Sequence, residues 1–200
     1  MAKFDAAYLH PIEAKMYESG EFVAQTLNKD FGITPNALTF ASYFSAIGAG
    51  ILIAKEEFCG AALATFLAYL FDVWDGSMAR TLDMCTNFGD FLDHYSDWAG
   101  IALYVYALVR IQFQKYFKQW QLVLLAVVTI LLVVFLLVHV GCEEKLLNDD
   151  NNQSLKFTQQ FCVGNNPAET LSISRWSGYV GIHGLMIGLL LVLGYMKATK

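Results

Sequence analysis

Four aspartates are spaced as a chemistry-bearing set, with Asp72 and Asp75 three residues apart and Asp93 and Asp97 four apart. They sit in Phe71-Asp72-Val73-Trp74-Asp75-Gly76-Ser77-Met78-Ala79-Arg80 and in Gly89-Asp90-Phe91-Leu92-Asp93-His94-Tyr95-Ser96-Asp97. On a helix advancing about 100° per residue, Asp72, Asp75, Gly76, Ala79 and Arg80 fall within an arc of roughly 140°. Asp93 and Asp97 share a face one turn apart, with Gly89 one turn before. Two helix ends thus each present two carboxylates on one stripe, and small residues leave room beside them. Four like charges converging in a low dielectric repel strongly, so either their pKa values rise or cations neutralise them. Hard divalent cations take carboxylate oxygen, and Mg²⁺ also uses substrate phosphate and water. Two such ions held by four Asp suit a phosphoryl-type displacement, in which both the attacking and the leaving oxygen are stabilised. Arg80 adds a fixed planar charge able to grip a phosphate in bidentate fashion. Carboxylates snorkelling at a helix end are the bland alternative, but one Arg cannot balance four Asp.

The elements that must position these residues are membrane helices. The chain is 56% hydrophobic and 16% charged, with mean hydropathy +0.43, whereas soluble domains carry about a quarter charged residues. Leu122–Val140 and Trp176–Met196 contain no charge, and each is about 20 residues long, enough to cross a hydrocarbon core of roughly 30 Å. Five spans are expected, at about Ala37–Ala54, Phe58–Arg80, Phe88–Val109, Gln121–Val140 and Ser172–Met196. Asp72 follows only about 14 apolar residues of its span, or roughly 21 Å of helix, so it lies short of the far interface. An ionisable residue at such depth is functional by default. Ahead of the spans, Ala14–Leu27 has the spacing of an amphipathic helix lying on the membrane surface. The chain therefore reads as one all-α domain over residues 1–200, with a surface segment at 1–33 and a transmembrane bundle at 34–200. The polar stretch Glu143–Ala168 reads as an exposed loop between the fourth and fifth spans.

Net charge is −5 without a basic cluster, which argues against nucleic acid and against a polybasic lipid patch. Cys59, Cys85, Cys142 and Cys162 have neither CxxC nor zinc spacing and read as idle thiols. Cys142 and Cys162 flank the polar loop and would pair only if it faced an oxidising compartment. Residues 1–30 lack the apolar h-region of a signal peptide. Lys and Arg divide seven against six across alternate sides of five spans, barely favouring a cytosolic N-terminus and a cytosolic loop after the second span. His139 and His183, within apolar spans, read as satisfied packing residues, and His94 as a possible acceptor contact at the edge of the acidic set. A divalent-cation transporter would use the same carboxylates, but it has no need of Gly76, Ala79 and Arg80 at fixed spacing, and the repeated halves usual in transporters are absent. An inactive membrane scaffold is the other alternative.

Asp72, Asp75, Gly76, Ala79, Arg80, Gly89, Asp93 and Asp97 spell D-x2-D-G-x2-A-R-x8-G-x3-D-x3-D without a departure, which resembles the signature of the CDP-alcohol phosphotransferases. Thr34-Pro35-Asn36 with Thr39 resembles the start of the family's first span. The resemblance implies a helix bundle with two Mg²⁺ or Mn²⁺ ions bound to Asp72, Asp75, Asp93 and Asp97. It further implies Asp97 as general base, and a CDP moiety bordered by Gly76, Ala79, Arg80, Thr86, Gly89 and Asn36. The implied reaction moves a phosphatidyl or other phospho-alcohol group from a CDP-linked donor to an alcohol hydroxyl and releases CMP. A cytosolic site and a homodimer are expected with it, in the endoplasmic reticulum of a eukaryote or the plasma membrane of a prokaryote. The short chain is similar to phosphatidylinositol synthases and favours CDP-diacylglycerol as donor. Asp93-His94 followed by Asp97-Trp98 is similar to choline/ethanolamine phosphotransferases, which use diacylglycerol as acceptor. Family members usually have six spans, one more than is readable here; a second chain, a short span within Phe157–Thr170, or a reduced fold would account for it.

Overall fold

The computed structural model describes residues 8–110, 113–147 and 156–199, without the side chains of His94, Asp97, Trp98 and residues 101, 105, 108–110, 114 and 147. The described residues form seven α-helices and no strand: α1 (Pro11–Phe31), α2 (Pro35–Ala54), α3 (Phe58–Thr81), α4 (Asn87–Arg110), α5 (Gln119–Leu147), α6 (Pro167–Ser174) and α7 (Tyr179–Ala198). All three prolines of the chain open a helix, where the missing N–H costs nothing and φ is already helical. His10 Nδ1 caps α1 by accepting from Ile12 N–H at 3.2 Å. Gly32, at φ 65°, closes the helix with its N–H on the Asn28 carbonyl, a left-handed stop that glycine takes without strain.

Among the described residues, four segments are long and apolar enough to cross a membrane: α2, α3, α5, and α6 with α7 over Pro167–Ala198. The third expected span folds as α4, 24 residues long, but Asp90, Asp93 and Asp97 in its first half set it apart from those four. The fifth does not run unbroken from Ser172. Turns at residues 175–178 separate α6 from α7, and the ring of His139 fills the space where a side chain on Gly178 would lie, at 2.9 Å. No sixth span hides in Phe157–Thr170: Lys156–Phe161 is a 3₁₀ turn and α6 has eight residues, about 12 Å of helix.

α3 is the central element, packed against α1, α2 and α7, and α4 packs against α2. Small side chains permit this closeness. A Cβ on Gly100 would meet Ala46 at 3.4 Å, and Ser42 Oγ donates to the Ala68 carbonyl at 2.9 Å. α1 does more than lie on the surface. It turns Glu13, Met16, Gly20 and Ala24 inward and packs on α3. Trp74 Nε1 donates to Ser19 Oγ at 2.9 Å, and Ser77 Oγ donates to the Tyr17 carbonyl at 3.2 Å.

The two ends of the bundle differ. At one, Glu56 in the α2–α3 turn accepts from Lys115 Nζ at 3.2 Å and Tyr116 hydroxyl at 2.7 Å, while Lys197 Nζ donates to its carbonyl at 2.9 Å. This latch joins the turn that precedes α5 and the end of α7 to the α2–α3 turn. The opposite end gathers the N-termini of α2 and α4, the C-termini of α3 and α5, and α6. There Cys142 and Cys162 form a disulfide, with Cα atoms 4.6 Å apart, so the reading of these two as idle thiols is corrected. Their pairing depends on the 3₁₀ turn folding back against Gly141, where its Thr158 carbonyl lies too close to admit a side chain. Cys59 and Cys85 are free and exposed. The centre of the polar loop, at 148–155, lies outside the described residues.

Candidate metal and nucleotide site

The turn between α3 and α4 brings the two acidic stripes together. Asp83, at φ 54°, takes the left-handed conformation that Asp tolerates better than most residues. Met84 N–H returns to the Ala79 carbonyl at 2.8 Å. Thr86 then caps α4, its Oγ1 accepting from Gly89 N–H at 3.0 Å, the usual cap-to-third-residue bond. The chain thereby reverses within a few residues, and Asp93 on α4 comes level with Asp72 and Asp75 on α3.

One carboxylate oxygen from each of Asp72, Asp75 and Asp93 lies within 4.8 Å of the other two. Asp75 is buried at 5% exposure, and Asp72 and Asp93 are half-buried. Two unit charges at that separation repel by about 3.5 kcal/mol at an effective dielectric of 20. Three ionised pairs would cost roughly 10 kcal/mol, as much as the whole stability of a typical domain. Three hard oxygen donors at this spacing fit a divalent cation bound at about 2.0–2.6 Å from each. Asp97 follows Asp93 by one turn of α4, and its side chain lies outside those described.

The six residues expected around the nucleotide fall into two groups. Arg80 folds back along α3, and a Cβ on Gly76 would stand 3.1 Å from its Nη2; glycine is what leaves the guanidinium this position. The guanidinium also lies 5.5 Å from the centroid of the Tyr17 ring. Ala79 is on the same helix, one residue before it. The second group joins α2 to α4: a Cβ on Gly89 would meet Thr86 Oγ1 at 3.1 Å and Asn36 Oδ1 at 3.3 Å. Asn36 is fifty residues upstream of Thr86 in the sequence, yet it shares this corner.

The family model for CDP-alcohol phosphatidyltransferase matches residues 32–191 of the 200-residue chain. The chain belongs to the CDP-alcohol phosphatidyltransferase family. No curated protein and no solved structure gives a significant match. As a CDP-alcohol phosphatidyltransferase it is an enzyme of phospholipid synthesis that transfers a substituted phosphate group from a CDP-linked donor. The family uses divalent metal ions, and the three-aspartate cluster can hold one. Its long apolar helices make it an integral membrane protein. α1 precedes the matched range, so the family pattern says nothing of its side chains.

Several residues of this end went unread in the sequence. Tyr17 reaches Arg80 from α1. His139, taken as a packing residue, binds Ser174 Oγ through Nδ1 at 2.9 Å and Glu143 through Nε2 at 3.3 Å. Glu13 is buried on the face of α1 that otherwise carries Met16, Gly20 and Ala24. A glutamate in register with an apolar stripe was the available signal.

Proposed function

We propose that this CDP-alcohol phosphatidyltransferase moves a phosphatidyl group from CDP-diacylglycerol to the hydroxyl of a water-soluble alcohol and releases CMP. The observation that carries the reading is the meeting of Asp72, Asp75 and Asp93 oxygens within 4.8 Å, on the same stretch of α3 that holds Arg80. Asp72, Asp75, Asp93 and Asp97 would hold two Mg²⁺ or Mn²⁺ ions, which when bound supply positive charge to the pyrophosphate and the departing CMP. Arg80, laid against Gly76, binds a donor phosphate oxygen. Gly76, Ala79, Thr86, Gly89 and Asn36 border the CDP moiety. Asp97 takes the acceptor's proton as its oxygen attacks the phosphorus bearing the diacylglycerol, and the bond from that phosphorus to CMP breaks. Phe88, Phe91 and Tyr95, on the same turns of α4 as Asp93, are exposed at 62–66%, an apolar flank beside the site suited to a donor whose acyl chains stay in the bilayer. The resemblance to phosphatidylinositol synthases rests on chain length.

The second reading, CDP-choline or CDP-ethanolamine with diacylglycerol as acceptor, is supported by Asp93-His94 and Asp97-Trp98. We place the site on the cytosolic side, where soluble CDP compounds reach it, and expect a homodimer. The test supplies purified protein with labelled CDP-diacylglycerol or CDP-choline, a panel of alcohols and Mg²⁺, and measures CMP. CMP release that stops in excess EDTA is the expected result; undiminished release in EDTA would remove the two-metal mechanism.

A further inference from the structure

Arg80 reaches the site on a long side chain, and α1 supplies a wall for it. A Cβ on Gly76 would stand 3.1 Å from its Nη2 and 3.2 Å from its Nη1, so the guanidinium lies back along α3 toward Asp75, the residue before Gly76. The Tyr17 ring of α1 meets it there, with its centroid 5.5 Å away. Tyr17 is itself fixed to the same turn of α3: its carbonyl accepts from Ser77 Oγ at 3.2 Å, and Ser77 is the residue after Gly76. Ser19 Oγ accepts from Trp74 Nε1 at 2.9 Å, and Gly20 admits α1 so closely that a Cβ would stand 2.8 Å from Ser77 Cβ. Ring and guanidinium are therefore both registered on one stretch of α3, residues 74–80, next to the aspartates.

The kind of contact matters for a residue that is to bind phosphate. An arginine side chain that is not held samples many rotamers, and ordering it when a ligand arrives costs affinity. A tyrosine face holds a guanidinium by cation–π attraction, which spends none of its N–H donors. A carboxylate partner would instead take a pair of them in a fork. An arginine held on a ring thus arrives preorganised, with a planar set of donors matched to the oxygens of a phosphate.

Resting on the phosphotransfer reading above, in which Arg80 binds a donor phosphate oxygen, we propose that Tyr17 is a positioning residue for the CDP-linked donor. Its ring holds the Arg80 guanidinium over Gly76. α1 thereby contributes to donor binding although it precedes the family-matched range 32–191. The role belongs to the ring face and not to the phenol hydroxyl, and it acts on binding of the phosphates rather than on the transfer step.

Binding of CDP to full-length protein in detergent with Mg²⁺, followed by calorimetry, tests this without requiring turnover. Tyr17→Leu should weaken CDP about fivefold, and Tyr17→Phe should stay within about twofold of the parent. Because Tyr17→Leu also removes packing, the deciding series keeps the ring's shape: mono-, di- and trifluorinated phenylalanines introduced at Tyr17 withdraw charge from the ring face stepwise. CDP affinity should fall with each fluorine while the melting temperature stays level. With CDP-diacylglycerol or CDP-choline as donor, Tyr17→Leu should raise KM about fivefold and leave kcat near the parent's. A flat fluorine series, a loss in Tyr17→Phe as large as that in Tyr17→Leu, or a fall in kcat alone would overturn the positioning role. A parent that binds CDP yet releases no CMP from either donor would instead remove the phosphotransfer reading, with the fluorine series still deciding the role of Tyr17. No CDP binding by the parent would remove both.

Discussion

At the scale of single residues, the acidic set divides by task. Asp97→Asn keeps size and one oxygen but loses the base; because general-base assistance is typically worth about 10²–10⁴-fold, single-turnover rates should fall by at least that much. CDP-donor binding should survive better than in Asp72→Asn, which removes an oxygen of the three-aspartate cluster. Equal loss of donor binding in the two variants would make Asp97 chiefly a metal ligand. Arg80→Lys keeps the charge without the planar fork, so donor affinity should drop about tenfold or more in the same assay. Normal affinity would leave Arg80 as a counter-ion. Glu13 gives a pH signature. Burial, and then the neighbouring Glu143, raise its carboxyl from 4.5 to about 7, against smaller opposing effects of His139 and the His10 backbone. From pH 4.5 to 7 the folded chain keeps a proton that the unfolded chain has released, so stability falls as pH rises through that window. The contribution is fully present below 4.5 and gone above about 7. Glu13→Gln should flatten the slope: its melting temperature should exceed the parent's at pH 8 and not at pH 4.5, read in detergent by intrinsic fluorescence.

At the scale of elements, α1 is the part whose placement matters most for chemistry, because it carries Tyr17 to Arg80 and Glu13 to Glu143. Its seat on α3 is tight at Gly20, where a Cβ would stand 2.8 Å from Ser77 Cβ and 3.1 Å from the Trp74 ring. Ser77 is fully buried and cannot yield freely. Gly20→Val should therefore cost about 1–3 kcal/mol by overpacking and lower turnover along with stability, since lifting α1 displaces Tyr17. A variant with normal melting and normal turnover would show that α1 does not position the site. The link from Cys142 to Cys162 closes 20 residues of sequence separation and is worth about 3 kcal/mol in the chain-entropy account.

For the molecule as a whole, sidedness is the open physical question that the fold makes answerable. The disulfide sits at the same end of the bundle as the aspartates, since Tyr179 packs with Tyr69 and Val73 of α3 and stands edge-on to His139, one turn of α5 before Cys142. A cytosolic site therefore puts Cys142 and Cys162 in a reducing compartment, where such pairs are usually transient. Differential alkylation of intact cells should find both as thiols, closing to the disulfide after purification in air. An oxidised pair in cells would instead turn the site toward an oxidising lumen or exterior. α5 leaves nearly all of its apolar window exposed, a surface that lipid covers in a monomer and a second copy would share in the expected homodimer.

The sequence by itself determined the local features: helix content, the places where proline opens a helix, and the carboxylate stripes. These follow from spacing along one helix, where i, i+3 and i+4 residues share a face whatever else the chain does. The Asp72–Asp75 pair and the Arg80 stripe were legible for that reason, and so was the uncharged run in α5. Only the tertiary structure decided which stripes meet. Asn36 joins Thr86 and Gly89 because α2 packs against α4, and Met16 joins Tyr69 and Val73 because α1 packs on α3. The same holds for the break between α6 and α7, where the His139 ring lies against Gly178, and for the pairing of Cys142 with Cys162. Contacts between elements depend on crossing geometry and on small residues that set how closely helices approach, which no periodicity along a single helix encodes.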